Sequence, residues 1–124
     1  MLIVRKDLEM PAGKIAAQVG HAVQLRILGE FETSFENDEI RTSTTPEMIS
    51  WLKGIYTKLV LGIDSLEKLL SLEKKASELG IPTVLVRDKG LTCFEGEETI
   101  TVLALGPVLK EVHHPLTKRL RLLD

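Results

Sequence analysis

Two hydrophobic periods alternate along this chain, and the switches between them mark its elements. Leu2, Ile3 and Val4 form a short, partly β-branched run closed by Arg5 and Lys6, which predicts a buried strand. A loop containing Pro11 and Gly13 follows. Beyond it Ile15, Val19, Ala22, Val23 and Ile27 recur at spacings of three and four, the buried stripe of a helix running to Gly29. Lys14, Gln18 and His21 fall at i, i+4 and i+7 on a different face, so three polar groups line up along that helix.

Residues 31–44 lack sustained periodicity, are acidic and read as a mobile surface insertion without regular structure. Thr45 and Pro46 then supply a cap and a first helical residue, and Met48, Ile49, Trp51 and Leu52 bury one side of a short helix that Gly54 weakens. Residues 58–63 predict a second strand, and Asp64 with Glu67 has capping-box spacing at the start of a third helix. Leu69, Leu72, Ala76 and Leu79 are its apolar stripe; Gly80 and Pro82 end it. Residues 83–87 and 99–105 predict two more strands, separated by the turn Asp88-Lys89-Gly90. Leu116, Leu120, Leu122 and Leu123 need burial at the end of the chain, either on a short helix or on an extended tail. The order predicts one α/β domain over residues 1–124, with helices covering a small sheet.

Length and composition agree with that reading. At 124 residues, 44% hydrophobic and 27% charged, the chain suits one core and excludes disordered and fibrous classes. No apolar run is long enough for a membrane span, and the charged start predicts no signal peptide, so a cytoplasmic protein is expected. One cysteine and three histidines exclude a cysteine-rich zinc site.

Charge changes the picture more, because a net charge of −2 hides an uneven distribution. Residues 1–26 and 108–124 each balance to +2, whereas residues 30–48 balance to −5. A phosphate-bearing partner would dock where the basic ends meet, if the fold joins them; ordinary solvated charge is the plainer alternative.

Ligands of α/β folds gather beyond the C-terminal ends of strands, here the loops after Arg5 and around Asp88. Lys14 stands at the positive end of a helix dipole, a position that costs stability and suits an anion. Asp88 and Thr92 share a turn in which a carboxylate and a hydroxyl can position water, or in which Asp88 simply binds its own backbone. His21 can meet a substrate or satisfy a carbonyl, and Cys93 beside Phe94 reads as packing.

The run Arg5-x-Asp7-Leu8-x-Met10-x-x-Gly13-Lys14-Ile15-Ala16-Ala17-Gln18-x-x-His21-Ala22 closely resembles the opening motif of the type II peptidyl-tRNA hydrolases. Pro46-Glu47-Met48 with Trp51, Asp88-x-Gly90-x-Thr92 and Thr101-Val102-Leu103-x-x-Gly106-Pro107 follow in that family's order, so the resemblance spans nearly the whole chain. It implies a three-layer α/β/α sandwich around a four-stranded mixed sheet, and hydrolysis of the ester between peptide and tRNA in peptidyl-tRNA, without metal or cofactor. Carried over by position, Lys14, Asp88 and Thr92 become the catalytic group, and Gln18, His21, Gly90, Thr101, Arg5 and Lys6 contact the substrate. A homodimer is compatible with it.

The chain departs from the family pattern at Cys93, where glutamine is usual, and at the acidic run Glu95 to Glu98. The spacing from Asp88 to Thr101 is one residue longer than usual, which makes Thr99 a competitor for the Thr101 role. A relative that binds RNA or protein without catalysis is the alternative these departures support.

Overall fold

A computed structural model of the protein describes residues 1–29, 33–90 and 96–124. Its centre is β1 (Leu2–Arg5), which pairs in parallel with β4 (Val60–Ile63) and antiparallel with β6 (Thr99–Leu105). β5 (Thr83–Asp88) flanks β6 and β7 (Arg121–Leu122) flanks β4, giving the order β5-β6-β1-β4-β7.

A strand with neighbours on both edges and layers on both faces must be apolar throughout, which is why Leu2, Ile3 and Val4 are all buried. The two-residue period then sorts the sheet into two cores. Ile3, Leu61, Ile63 and Leu103 face α3 (Leu66–Glu78), which contributes Leu69, Leu72 and Ala76. Leu2, Val4, Val84, Val86, Val102 and Ala104 face α1 (Ala12–Leu28), which contributes Ala22 with Ile15, Val19 and Val23. α4 (Lys110–Thr117) lies beside α3 with Leu116 against that core. On the α1 side, α2 (Pro46–Lys53) buries Met48, and Thr45 caps it by accepting from the Met48 amide at 3.2 Å. The expected α/β/α layering therefore holds.

Several expectations need correction. The main sheet has five strands rather than four, because the chain end is both helix and strand: after α4, Arg121 and Leu122 pair with Gly62 and Leu61. Two exposed residues carry no period that a sequence pattern can register. Part of 31–44 is also structured, since β2 (Thr33–Glu36) and β3 (Glu39–Thr42) form a hairpin. Asn37 and Asp38 turn it with φ of 55° and 59°, the left-handed pair that a two-residue hairpin loop requires. The hairpin is fastened to the rest of the molecule where the Thr42 hydroxyl donates to the Leu28 carbonyl at 2.6 Å. Its apolar cross-strand pair, Phe35 and Ile40, is exposed, so burial gave no signal. The α3 cap is Ser65, whose hydroxyl accepts from the Lys68 amide, rather than Asp64.

The C-terminal ends of β1, β4 and β5 and the start of β6 share one edge of the sheet, and Lys14 in the first turn of α1 reaches Asp88 there.

Candidate active site

Asp88 ends β5 opposite Thr99, and three donors converge on its carboxylate. Lys14 Nζ donates to Oδ1 at 2.9 Å, Gln18 Nε2 to the same oxygen at 3.4 Å, and the Gly90 amide to Oδ2 at 3.0 Å. Lys14 and Gln18 stand one helical turn apart on α1, so a single face of that helix delivers both. The turn after β5 delivers the third. Gly90 has φ +77°, and a Cβ there would run into the backbone of Glu97, so the close return of the chain demands glycine.

The hydrogen bond from Lys14 holds the Asp88 carboxyl below its ordinary value, against burial, which acts the other way; the Gly90 and Gln18 bonds add to the lowering. Both side chains are mostly buried, 12% exposed for Lys14 and 13% for Asp88, so the pair is less screened than a surface one.

Gln18 is the hub. It is 2% exposed, and while its amide nitrogen faces Asp88 its carbonyl oxygen accepts from the Thr101 hydroxyl at 2.5 Å. Thr101 is fully buried on β6, so the cluster runs unbroken from the sheet through the helix to the Lys14 ammonium. This corrects the expected polar stripe: Gln18 turns inward to the sheet, whereas His21 stays exposed and its ring makes no hydrogen bond among the described residues. Thr99 bonds instead to the Glu97 carbonyl at 3.2 Å, which leaves Thr101 as the threonine joined to Gln18. Thr92, together with Cys93 and Glu95, lies outside the described residues.

Arg5 takes a different place from Lys14. It bonds both Asp7 oxygens, at 3.1 and 2.7 Å, and its third bond goes to the Ile100 carbonyl at 3.0 Å, beside Thr101. The fork therefore ties the end of β1 to the start of β6, and its hydrogen bond holds the Asp7 carboxyl below the ordinary range. No pattern in the sequence distinguishes this clamp from a surface pair two residues apart.

Lys6 is exposed, and its stem crosses the site of Gly62, where a Cβ would stand 2.6 Å from Lys6 Cδ. Gly62 is paired with Val4 on one side and Arg121 on the other. The basic N-terminal and C-terminal segments thus meet at this edge of the sheet, as the charge distribution required for a phosphate-bearing partner.

Chemically, the arrangement offers an ammonium, an ionised carboxylate and the first turn of α1, which no side chain caps among the described residues. Such a turn and a lysine together stabilise an anion, while the carboxylate can hold or accept a proton of bound water.

The family described as Peptidyl-tRNA hydrolase PTH2 matches residues 1–123. A peptidyl-tRNA hydrolase of Sulfurisphaera tokodaii is 36% identical over 124 residues, covering 99% of this chain and 96% of its own. Those of Thermococcus sibiricus and Saccharolobus islandicus are 35% and 32% identical, covering 98% and 99% of this chain and 94% and 97% of theirs.

Proposed function

We propose, because this chain belongs to the peptidyl-tRNA hydrolase PTH2 family, that it hydrolyses the ester joining a peptide to tRNA, and that Lys14 and Asp88 carry the reaction. The observation that supports the site most is the 2.9 Å ion pair between them, placed on a rigid sheet and helix at the basic edge of the molecule.

Water attacks the ester carbonyl, the carbonyl oxygen becomes an oxyanion, and the bond to the ribose oxygen breaks. In the free enzyme Lys14 keeps Asp88 acidic, hence a weak base. When substrate draws the ammonium toward the oxyanion or an adjacent phosphate, the carboxylate loses its strongest partner and becomes basic enough to take a proton from the water. That proton passes to the departing ribose oxygen, which frees the tRNA, and the new peptide carboxyl group, still carrying the water's second proton, loses it to solvent. Gln18, anchored by Thr101, keeps Asp88 in place during the exchange. Thr92 stays in the proposal as the hydroxyl that orients the water, with Gly90 fixing the carboxylate. His21 and the Lys6 cation serve the RNA side, while Arg5, expected there too, is committed to Asp7 and the Ile100 carbonyl.

Residues 1–124 act as one catalytic domain in the cytoplasm, where translation produces the substrate. Among the described residues no helix is long and apolar enough to cross a membrane. An N-acetylated aminoacyl-tRNA is the direct test: release of free tRNA with turnover is expected. Binding without release above the buffer rate at micromolar protein would select the non-catalytic relative instead.

A further inference from the structure

A cavity of about 140 Å³ opens at the other end of the sheet, between α1, α2 and the segment after β6. Val23, Ile27, Met48, Trp51, Leu59 and Val108 give it apolar walls. Among the described residues its ionisable lining groups are Arg26, Lys58, His113 and the Met1 amino group, which donates to the Leu105 carbonyl and which burial pushes down to about 6, with no aspartate or glutamate.

Arg26 is half-buried and comes from α1. Its Nε donates to the Gly106 carbonyl at 2.6 Å, and among the described residues the guanidinium makes no other hydrogen bond and no ion pair. Glu73, which lines a neighbouring groove with Arg26, does not pair with it. Removing a guanidinium from water without a counter-ion is unfavourable, and burial alone lowers its pKa. Lys58 adds a second positive charge at the rim, where its ammonium stands 5.0 Å from the centre of the Trp51 ring.

We infer that this cavity is a binding site for a small monocarboxylate with an apolar body, its carboxylate on the two terminal nitrogens of Arg26 and its body against Val23, Met48 and Trp51. The planar fork matches a carboxylate, and Nε is already engaged. The volume matches the body, since an apolar cavity of about 150 Å³ holds a benzene ring. A phosphate suits it badly, because a compact dianion would lose its hydration to mostly apolar walls. The site is separate from the Lys14 and Asp88 cluster, so the inference does not depend on the hydrolase reading.

Trp51 is the chain's one tryptophan, which makes its fluorescence a local reporter. Titrating the full chain with phenylacetate at fixed ionic strength should give a saturable change. The neutral isostere 2-phenylethanol should bind at least about tenfold more weakly, the difference one charge-assisted hydrogen-bonded pair confers. Arg26→Gln keeps a donor for Gly106 and should bring the acid down to the level of the alcohol. No saturable response to phenylacetate, equal affinity for acid and alcohol, or an equal response to inorganic phosphate overturns the proposal. So does a folded Arg26→Gln protein that still prefers the acid. Where that variant does not fold, the two ligands on the unmodified chain decide the matter.

Discussion

Thr101 donates its hydroxyl proton to the carbonyl oxygen of Gln18 at 2.5 Å, across 83 positions of sequence, and both side chains are buried. The bond fixes which way the Gln18 amide faces, because with its oxygen taken by a donor its nitrogen must point to Asp88. Thr101→Val preserves shape and removes the donor, leaving a buried carbonyl unsatisfied at a cost of about 1–3 kcal/mol. Chemical denaturation should show that loss. Turnover should fall with it, since Gln18 is then free to rotate away from Asp88; a variant with unchanged stability would mean that water replaces the hydroxyl.

Lys14→Ala acts on two opposed terms. Removing a cation from the positive end of α1 gains a few tenths of a kcal/mol, and leaving Asp88 mostly buried without its ammonium loses more. The other two donors to Asp88 limit that loss, so a net destabilisation of about 1–2 kcal/mol is expected. Sequence position alone gives the opposite sign, because only the dipole is visible there. Hydrolysis should fall by roughly 10²- to 10³-fold, as when one oxyanion donor is removed. A thermal melt and a single-turnover assay on the same preparation separate the two effects, and near-normal hydrolysis would remove Lys14 from the mechanism.

Asp88 makes a prediction about acid. Its folded pKa lies below the ordinary 3.8, so its contribution to stability is present above that value and is lost as pH falls through the folded pKa. Asp88→Asn should therefore flatten the acid limb of the stability curve below about pH 4, while shifting stability by a constant amount above pH 5. For the same reason kcat/KM of the unmodified enzyme, which reports the free protein with Lys14 still on Asp88, should not decline through Asp88 protonation between pH 7 and about 5. An Asp88-dependent decline that begins near neutrality would show that the carboxylate is not held ionised by Lys14.

The difference between what the sequence carried and what it did not has a physical cause. Leu2-Ile3-Val4, the α1 stripe and the α3 stripe are legible because burial imposes a period on them. Lys14 and Asp88 are legible as misplaced chemistry, a cation at a helix start and a carboxylate at a strand end. Gln18 reads wrongly because a buried, fully satisfied amide occupies a position that periodicity assigns to the polar face; only the helical spacing from Lys14 points to it. The hairpin and β7 are held by backbone pairing between exposed residues, a kind of order that leaves little trace in hydrophobicity.

Binding to tRNA should depend on salt. Lys6, Lys118, Arg119 and Arg121 are exposed, and the pairing of β7 with β4 brings Arg121 beside the strand that Lys6 crosses. With two to four phosphates engaged, log affinity should fall against log salt with a slope on the order of −2 to −4, by ~0.9 per contact on duplex. Filter binding across a salt series reads the slope directly, and charge-neutral Lys6 or Arg121 variants should each reduce it by about one. A flat response would count against RNA as the ligand of this edge.

Gly90 tests whether the carboxylate needs its turn as well as its helix partners. At φ +77° any L side chain is strained, and here a Cβ would also collide with the Glu97 backbone, so Gly90→Ala must open the turn. Strain of this kind costs on the order of 1–3 kcal/mol if the backbone holds. Opening the turn instead relieves the strain but withdraws the amide that donates to Asp88 Oδ2. The second course should prevail, since 96–98 is exposed and has less packing to resist it than the sheet has. The expected outcome is a small change in melting temperature joined to a large fall in turnover, with Asp88 becoming less acidic as one of its donors is lost. A large stability loss with turnover per folded molecule unchanged would show that Gly90 serves the fold and that Lys14 and Gln18 alone suffice to aim the carboxylate.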